Sequence, residues 1–185
     1  MFLERRGWWG NKFGFQLGAK YIDAFGIDHL DLQVEHNLSR PYTYAHYDSV
    51  ANYVHYDQPL AHPLGANFRE TLFRARYQPT RKWLIETRLI HAAQGLDDRN
   101  TNWGSNLIRT YNTREQEYGN EIGQGIQATT LLFGLDLSYQ IRHNLFLEAE
   151  YFYRRRDSDR AEFEQQVQYF GGGVRMNIGR QRMDF

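Results

Sequence analysis

The feature that most constrains the fold is an alternation of apolar and polar side chains that continues over unusually long runs. In residues 129–141 every second side chain is apolar, from Leu131 to Ile141, while Asp136 and Gln140 hold intervening positions. Successive side chains of a β-strand point to opposite faces of the sheet. The pattern therefore predicts a strand with one apolar and one polar face.

Six further runs show the same alternation, and they cover residues 13–21, 30–38, 69–77, 82–93, 145–155 and 170–178. The seven runs span about 9–13 residues, whereas strands of globular proteins peak at about 5–6 residues and membrane strands need about 9–11. The lengths predict an all-β fold, an antiparallel transmembrane β-barrel. The alternative is a soluble β-sandwich, which shows the same period of two.

The connections between the runs support the barrel because they alternate in length. Short ones are predicted near residues 23–28, 78–82 and 141–145, and longer ones near 39–67, 94–126 and 156–164. Outer-membrane barrels have short periplasmic turns and longer extracellular loops.

Aromatic residues make up 16% of the chain although its mean hydropathy is only −0.72. This combination suits a sheet that exposes one apolar face to lipid. Aromatic residues also gather near the strand ends, as they do at membrane interfaces. Those beside the short turns are Tyr21, Tyr77, Trp83 and Tyr139, and those toward the long loops are Phe13, Tyr151 and Tyr153.

Seven strands are an odd number, whereas a complete bacterial barrel has an even number. We therefore expect residues 1–185 to be a single outer-membrane barrel domain that is incomplete at its N-terminus, with Met1–Glu4 as a possible strand remnant. The first residues carry charges and do not resemble a signal peptide. The terminal Phe185 resembles the C-terminal signal of proteins that are inserted into the outer membrane.

Composition and motifs argue against several other classes of protein. Basic and acidic residues both number 22, so no nucleic-acid partner is indicated. There is no cysteine, and no apolar run approaches the length of a membrane helix. No phosphate-binding loop, dinucleotide fingerprint or hydrolase motif is present. We expect no enzymatic activity, no cofactor and no metal.

The polar positions of the strands hold charges of both signs, which predicts an ion-paired network in the barrel lumen. Its members are Lys20, Glu70, Arg74, Arg76, Glu86, Arg88, Asp136, Glu148, Glu150 and Arg175. Glu148 and Glu150 share a face and could form an acid–base pair, but nearby arginines would keep both ionised. Structural ion pairing is the favoured interpretation.

The first long loop, YTYAHYDSVANYVHYDQPLAHP from Tyr42 to Pro63, is rich in tyrosine and histidine. Tyrosine rings beside polar groups can hold sugars by stacking and hydrogen bonding. The predicted glycan-binding residues, with two tryptophans on the same side, are Trp8, Trp9, Tyr42, Tyr44, His46, Tyr47, Tyr53, His55, Tyr56 and His62. Loop packing alone would need similar residues.

Two other interpretations concern the same side of the sheet. His46, His55 and His62 lie near Asp48 and Asp57, but their spacing matches no zinc pattern. Arg154–Arg156 could meet lipopolysaccharide phosphates, or they could be a solvated run of charge.

Two stretches resemble the capsule assembly Wzi family, particularly members from gliding bacteria. They are GWWGNKFGFQLGAKYIDAFGIDHLDLQVEHN (residues 7–37) and RPYTYAHYDSVANYVHYDQPLAHPLGANFRE (residues 40–70), with HYDQPLAHPLGANFRE as the most specific part. The resemblance implies an outer-membrane barrel of about eighteen strands, of which this chain would supply roughly the last seven. Family members attach surface polysaccharide and act as lectin-like proteins.

The resemblance and the residues together predict a bacterial outer-membrane protein of capsule assembly or gliding motility. Its expected partners are outer-membrane lipid, lipopolysaccharide, surface polysaccharide and other envelope proteins. The alternative function is an outer-membrane channel, indicated by the charged lumen. A hydrolase that uses the loop histidines is less favoured because no nucleophile is evident.

Overall fold

A computed structural model of the chain describes residues 6–56 and 58–177, and it is almost entirely β-structure. Its strands are β1 (Gly14–Tyr21), β2 (Leu30–Ser39), β3 (Val54–His55), β4 (Gln58–Pro59), β5 (Phe68–Thr80), β6 (Trp83–Leu96), β7 (Ile126–Arg142), β8 (Leu145–Ser158) and β9 (Gln165–Met176). Four 3-10 turns accompany them, at Ala24–Gly26, Ser49–Ala51, Tyr111–Thr113 and Ala161–Phe163. None of the helical segments in these residues has the length and apolarity to cross a membrane.

The seven long strands form one antiparallel sheet in the order β1-β2-β5-β6-β7-β8-β9. The two-residue strands β3 and β4 pair with each other inside the connection between β2 and β5. The prediction of an antiparallel all-β fold is confirmed. Within the described residues β1 and β9 are the sheet edges and do not pair, so no closed barrel is observed.

All seven predicted strands are present, and several are longer than predicted. Strand β8 continues to Ser158, which leaves only residues 159–164 between β8 and β9. The opposite end of the sheet has a longer connection, at residues 22–29. The last of the predicted longer connections is therefore shorter than expected, because ladder pairing continues through Arg156 to Ser158, although it still exceeds the turn at residues 143–144.

The antiparallel register places apolar residues in rows that cross the sheet. One row, read through successive strand pairs, contains Ala19, Val34, Phe73, Leu89, Phe133 and Tyr153. We call the side of the sheet that carries these residues the apolar face. Among the described residues nothing forms a second layer over it, and Leu17, Val174 and Phe170 are 64%, 67% and 76% exposed.

The opposite side of the sheet, the polar face, carries the charged residues. Its aromatic exceptions have partners: Phe152 stacks on Tyr169 at 5.3 Å between ring centroids, and the Arg175 guanidinium lies 4.3 Å from the centre of the Phe146 ring. The buried strand residues near the long connections belong to this face. They are Asn37, Ser39, Phe68, Glu70, Ala92, Ile126 and Ala128.

These residues are buried because segments 6–13, 40–67 and 97–125 fold together at that end of the sheet. We call these three segments the loop cap. The buried side chains of the described chain lie mainly in the cap and beneath it, including Tyr42, Ala66 and Leu107. The fold thus buries a largely polar set of loops while it leaves an apolar sheet face exposed.

Gly95 shows how closely the cap approaches the sheet. A Cβ at this position would collide with the Gln124 carbonyl oxygen and would lie 2.5 Å from Asn67 Nδ2. Gly173, in another strand, would place a Cβ in open space. We expect Gly95→Ala to lower the free energy of unfolding of the detergent-purified protein by about 1–3 kcal/mol, measured by urea titration. Gly173→Ala is the matched control and should be neutral or slightly stabilising; equal effects would contradict this packing.

Candidate functional site

The loop cap is held by buried asparagine side chains, and Asn67 is the most connected of them. Its Nδ2 donates to the carbonyl oxygens of Gly95 at 2.9 Å and Gln124 at 2.8 Å, and its Oδ1 accepts from Gly123 N at 2.8 Å. Asn67 is fully buried and adopts a positive φ of 60°. Asparagine tolerates that backbone better than most residues, so one side chain joins the start of β5 to the third cap segment.

Asn102 organises the next part of the cap together with Tyr42. Asn102 Nδ2 donates to Thr110 O at 3.0 Å and Thr113 Oγ1 at 2.8 Å. The Tyr42 hydroxyl donates to Asn102 O at 2.6 Å. Because Tyr42 has no exposed surface, its prediction as a glycan-contacting residue is wrong: the ring is part of the cap core, where burial raises the hydroxyl pKa above its usual value.

Asn120 fastens the N-terminal segment of the cap. Its Nδ2 donates to Gly7 O at 3.1 Å, and its own carbonyl oxygen accepts from Arg40 Nη2 at 2.9 Å. Burial lowers the pKa of Arg40. These three asparagines were not among the predicted site residues, although each has a glycine within two residues (Gly65, Gly104 and Gly119), as is typical of loops that need unusual backbone angles.

His62 lies at the boundary between the cap and the polar face. Its Nε2 is 3.0 Å from Glu70 Oε2, its Nδ1 accepts from Leu64 N at 3.2 Å, and its ring stacks on Phe68 at 4.4 Å. Since Nδ1 accepts a hydrogen bond, Nε2 carries the proton that faces Glu70. His62 therefore serves as a packed cap residue, with both ring nitrogens engaged.

An aromatic cluster forms around Lys12, where the first and third cap segments meet. Trp9 packs on Tyr111 at 4.6 Å between ring centroids, and the Arg114 guanidinium lies 4.6 Å from the centre of the Trp9 ring. Lys12 Nζ lies 4.4 Å from the centre of the Tyr111 ring and donates to Ala45 O at 2.6 Å. Burial lowers the pKa of Lys12 to about 8, while the ring faces favour its charged form.

Several predicted aromatic residues remain accessible on the first long loop. Tyr47, Tyr53 and Tyr56 are 71%, 51% and 89% exposed. Tyr53 stacks with Tyr44 at 6.0 Å and an interplanar angle of 29°, and the two are also joined by the Tyr53 N–H and the Tyr44 carbonyl. We call Tyr44, Tyr47, Tyr53 and Tyr56 the tyrosine surface.

The remaining predicted loop residues take different positions. Trp8 packs against Trp9 at 5.7 Å and is half-buried. His55 packs edge-on against Tyr56 at 4.4 Å, and His46 is exposed. Asp57 lies outside the described residues, as do Met1–Glu4, Ile178 and Phe185. Among residues 6–56 and 58–177 no group of three or more metal-ligating side chains is found.

The polar face brings the predicted charge network only partly together. Lys20 pairs with Asp31 at 3.1 Å and Arg76 with Glu86 at 3.5 Å. Arg74, Arg88 and Asp136 line a cleft of about 200 Å³ beside these pairs, and none of the three has an ion pair within 4.0 Å in the described part of the chain.

The two glutamates considered as an acid–base pair have different partners. Glu148 Oε1 accepts from Arg175 Nε at 2.6 Å, whereas Glu150 Oε1 accepts from the Tyr169 hydroxyl at 2.6 Å. Each carboxylate is therefore engaged by a neighbour on β9. This arrangement suits structural pairing between adjacent strands.

The comparisons with known proteins add no relative: no family model, no curated protein and no solved structure matches the chain.

Replacing Asn67 tests the central role of the asparagines in the cap. Asn67→Ala leaves buried carbonyl and N–H groups without partners, and we expect it to lower the free energy of unfolding by roughly 2–3 kcal/mol. Limited proteolysis should then cut within residues 97–125. Asn100→Ala is the matched control, because Asn100 is exposed. Unchanged protease resistance in Asn67→Ala would contradict the assignment.

The buried amine of Lys12 can be titrated directly, because the chain has only three lysines, Lys12, Lys20 and Lys82. We expect the rate of competitive acetylation at Lys12, measured by mass spectrometry, to rise with a midpoint near pH 8. The reason is that only the neutral amine reacts and that burial disfavours its protonated form. A midpoint near the ordinary value of 10.5 would show that the ring contacts fully offset burial.

Proposed function

We propose that this sheet is part of the wall of an outer-membrane β-barrel whose loop cap binds surface polysaccharide. The observation that carries the proposal is a distribution of polarity opposite to that of a water-soluble protein. The uncovered sheet face is apolar, and the loops at its end bury polar side chains. Water would penalise such a face by about 25 cal/mol for each Å² exposed, whereas lipid would cover it.

The boundaries of the apolar face support the membrane part of the proposal. Toward the loop cap, the next row of the same face still contains Leu17 and Leu131 but adds His36, Thr71, His91 and Arg155. Toward the short turns, Trp83 and Tyr139 pack at 4.8 Å, as aromatic residues do at a membrane interface. The apolar band thus ends in polar or aromatic residues on both sides.

The sheet topology supports a larger barrel. Strands β1 and β9 run in the same direction, because an even number of antiparallel steps separates them. They cannot complete an antiparallel barrel by pairing with each other. In the proposed barrel, further strands lie between these two edges.

The tyrosine surface supports the glycan-binding part of the proposal. It presents three exposed tyrosine rings on a cap that buried hydrogen bonds hold in place. Fixed aromatic faces with polar edges can bind sugars without a large ordering cost. In this proposal the protein retains polysaccharide at the cell surface as a binding protein, consistent with the resemblance to the capsule assembly Wzi family.

A channel is the second candidate, and the charged polar face favours it. The loop cap opposes it, because these loops cover the polar face at one end of the sheet. Planar-bilayer recordings of the purified protein separate the two: steady conductance would favour a channel, and its absence would favour a binding protein.

Adjacent positions on β6 test whether the apolar face meets lipid. Leu89 lies on the apolar face and is 42% exposed, whereas Ile90 lies on the polar face. Arginine at a lipid-facing midplane position costs about 2–4 kcal/mol. We expect Leu89→Arg to reduce the heat-modifiable protein in the outer membrane far more than Ile90→Arg. Equal assembly of both variants would contradict lipid contact, because an exposed leucine in a water-soluble sheet tolerates arginine.

Variants of Tyr53 test the glycan-binding surface. Stacking of a ring on a ligand contributes about 1 kcal/mol or more, so Tyr53→Ala should weaken binding to polysaccharide extracted from the producing bacterium at least fivefold. Tyr53→Phe keeps the ring and should retain most of the affinity. Tyr42→Phe, in the cap core, serves as a control for cap stability. Wild-type affinity in Tyr53→Ala would remove this surface from the proposal.

A further inference from the structure

A cleft at the edge of the loop cap is lined by arginines, and none of its residues belongs to the tyrosine surface. Its volume is about 480 Å³, within the range of ligand sites. One wall is the loop after β6, and the other is the end of β8 with the turn that follows it. We call it the arginine cleft; its charged lining residues are Arg99, Arg109, Arg156, Asp97, Asp98 and Glu162.

The three carboxylates of the cleft all have partners, and that of Glu162 is Arg160, with Oε1 3.6 Å from Nη1. Asp97 accepts hydrogen bonds from the backbone N–H groups of Trp103 at 2.5 Å and Asn106 at 2.7 Å. Asp98 accepts from the N–H groups of Asn100 and Thr101, and it pairs with Arg160 at 2.9 Å. These bonds lower the pKa of Asp98 to about 2. The two aspartates therefore organise the loop, while the exposed Glu162 pairs with Arg160 and not with Arg99, Arg109 or Arg156.

Three guanidinium groups of the cleft keep free donors. Arg109 donates to the carbonyl oxygens of Thr101 and Arg99, and Arg156 Nε donates to Phe163 O at 2.7 Å. Among the described residues, Arg99, Arg109 and Arg156 have no carboxylate oxygen within 4.0 Å. Since a guanidinium has five N–H donors, each of the three retains at least three.

The position of the cleft indicates which kind of anion can reach it. Arg156 lies on the polar face of β8. Arg154, two residues earlier in the strand, lies on the same face. Arg155 instead has the parity of the apolar face, and its Nε contacts Asp157 at 2.8 Å. In the proposed barrel, lipid phosphates would lie beside Arg155, whereas the arginine cleft would open toward polymer above the lumen.

We propose that the arginine cleft binds the acidic groups of a surface polysaccharide, and so makes the protein selective for an anionic glycan. This inference rests on the proposed function and names the ligand class. Planar guanidinium groups match the two oxygens of a carboxylate or of a sulfate ester, and they bind it in a bidentate manner. The tyrosine surface would stack on sugar rings, while the cleft would select their charge.

The test compares oligogalacturonate with its fully methyl-esterified form, both titrated against the full protein in detergent. We expect about tenfold tighter binding of the charged form, with an advantage that decreases as salt is added. Arg99→Gln and Arg156→Gln should each remove most of that advantage. Arg99 is exposed, and among the described residues its side chain makes no hydrogen bond or ion pair, so this variant should fold normally. Arg155→Gln, on the other face, is the matched control.

Equal binding of the charged and esterified probes would overturn the inference, and so would an advantage that survives Arg99→Gln and Arg156→Gln. Binding to lipid A vesicles without any preference for charged oligogalacturonate would also overturn it, because the bound anion would then be a lipid phosphate. If Tyr53→Ala still weakens binding of native polysaccharide, the proposed function stands without the inference. If native polysaccharide does not bind at all, the proposed function itself fails.

Discussion

The antiparallel register of the seven long strands is the constraint on which the rest of the structure depends. Because side chains alternate with a period of two, a shift of one residue in any strand would move its apolar set to the opposite face. Pairs such as Phe73 with Leu89 and Glu86 with Asp136 show that the register is kept across β5, β6 and β7. This consistency produces an apolar and a charged face that each span the sheet.

The loop cap is built on a different physical basis. Hydrogen bonds of buried side chains such as Asn67 and Asn102 join its segments, around a small set of buried apolar residues that includes Tyr42 and Leu107. Such networks are stable only when nearly every member is satisfied, and they then hold one conformation. A cap of this kind can present tyrosine rings and arginine guanidinium groups at fixed positions. The proposed glycan site therefore depends on loops that are ordered by polar bonds.

The sheet could be predicted from the sequence because period-two alternation is a local pattern that survives in every strand. Residues 129–141 are a good example, since both their strand and its apolar face followed from the pattern. The cap could not be predicted, because its contacts join residues far apart in the chain. The sequence predicts Tyr42 as a glycan-contacting residue, yet it packs against Asn102 and Gly104. Nothing in the local sequence distinguishes it from Tyr53.

The arginine cleft is a second example of an arrangement that local sequence does not predict. Arg154–Arg156 form one run in the sequence. In strand β8, Arg155 lies on the apolar face, whereas Arg154 and Arg156 lie on the polar face. Arg99 and Arg109 approach Arg156 only through the fold of the loop after β6. Charge that looks like a single basic patch in the sequence is therefore divided between two environments, which have different partners in the proposed barrel.

Contact between lipid and the apolar face is tested most directly by single-cysteine scanning along β7. Each introduced cysteine can be labelled specifically, because the chain has no native cysteine. A fluorophore attached in turn at positions 131 to 138 of the membrane-assembled protein would be exposed to brominated lipids. We expect quenching that alternates along the strand, strong at Leu131, Phe133, Leu135 and Leu137 and weak between them. Uniformly weak quenching, with the odd positions open to water-soluble quenchers, would contradict it.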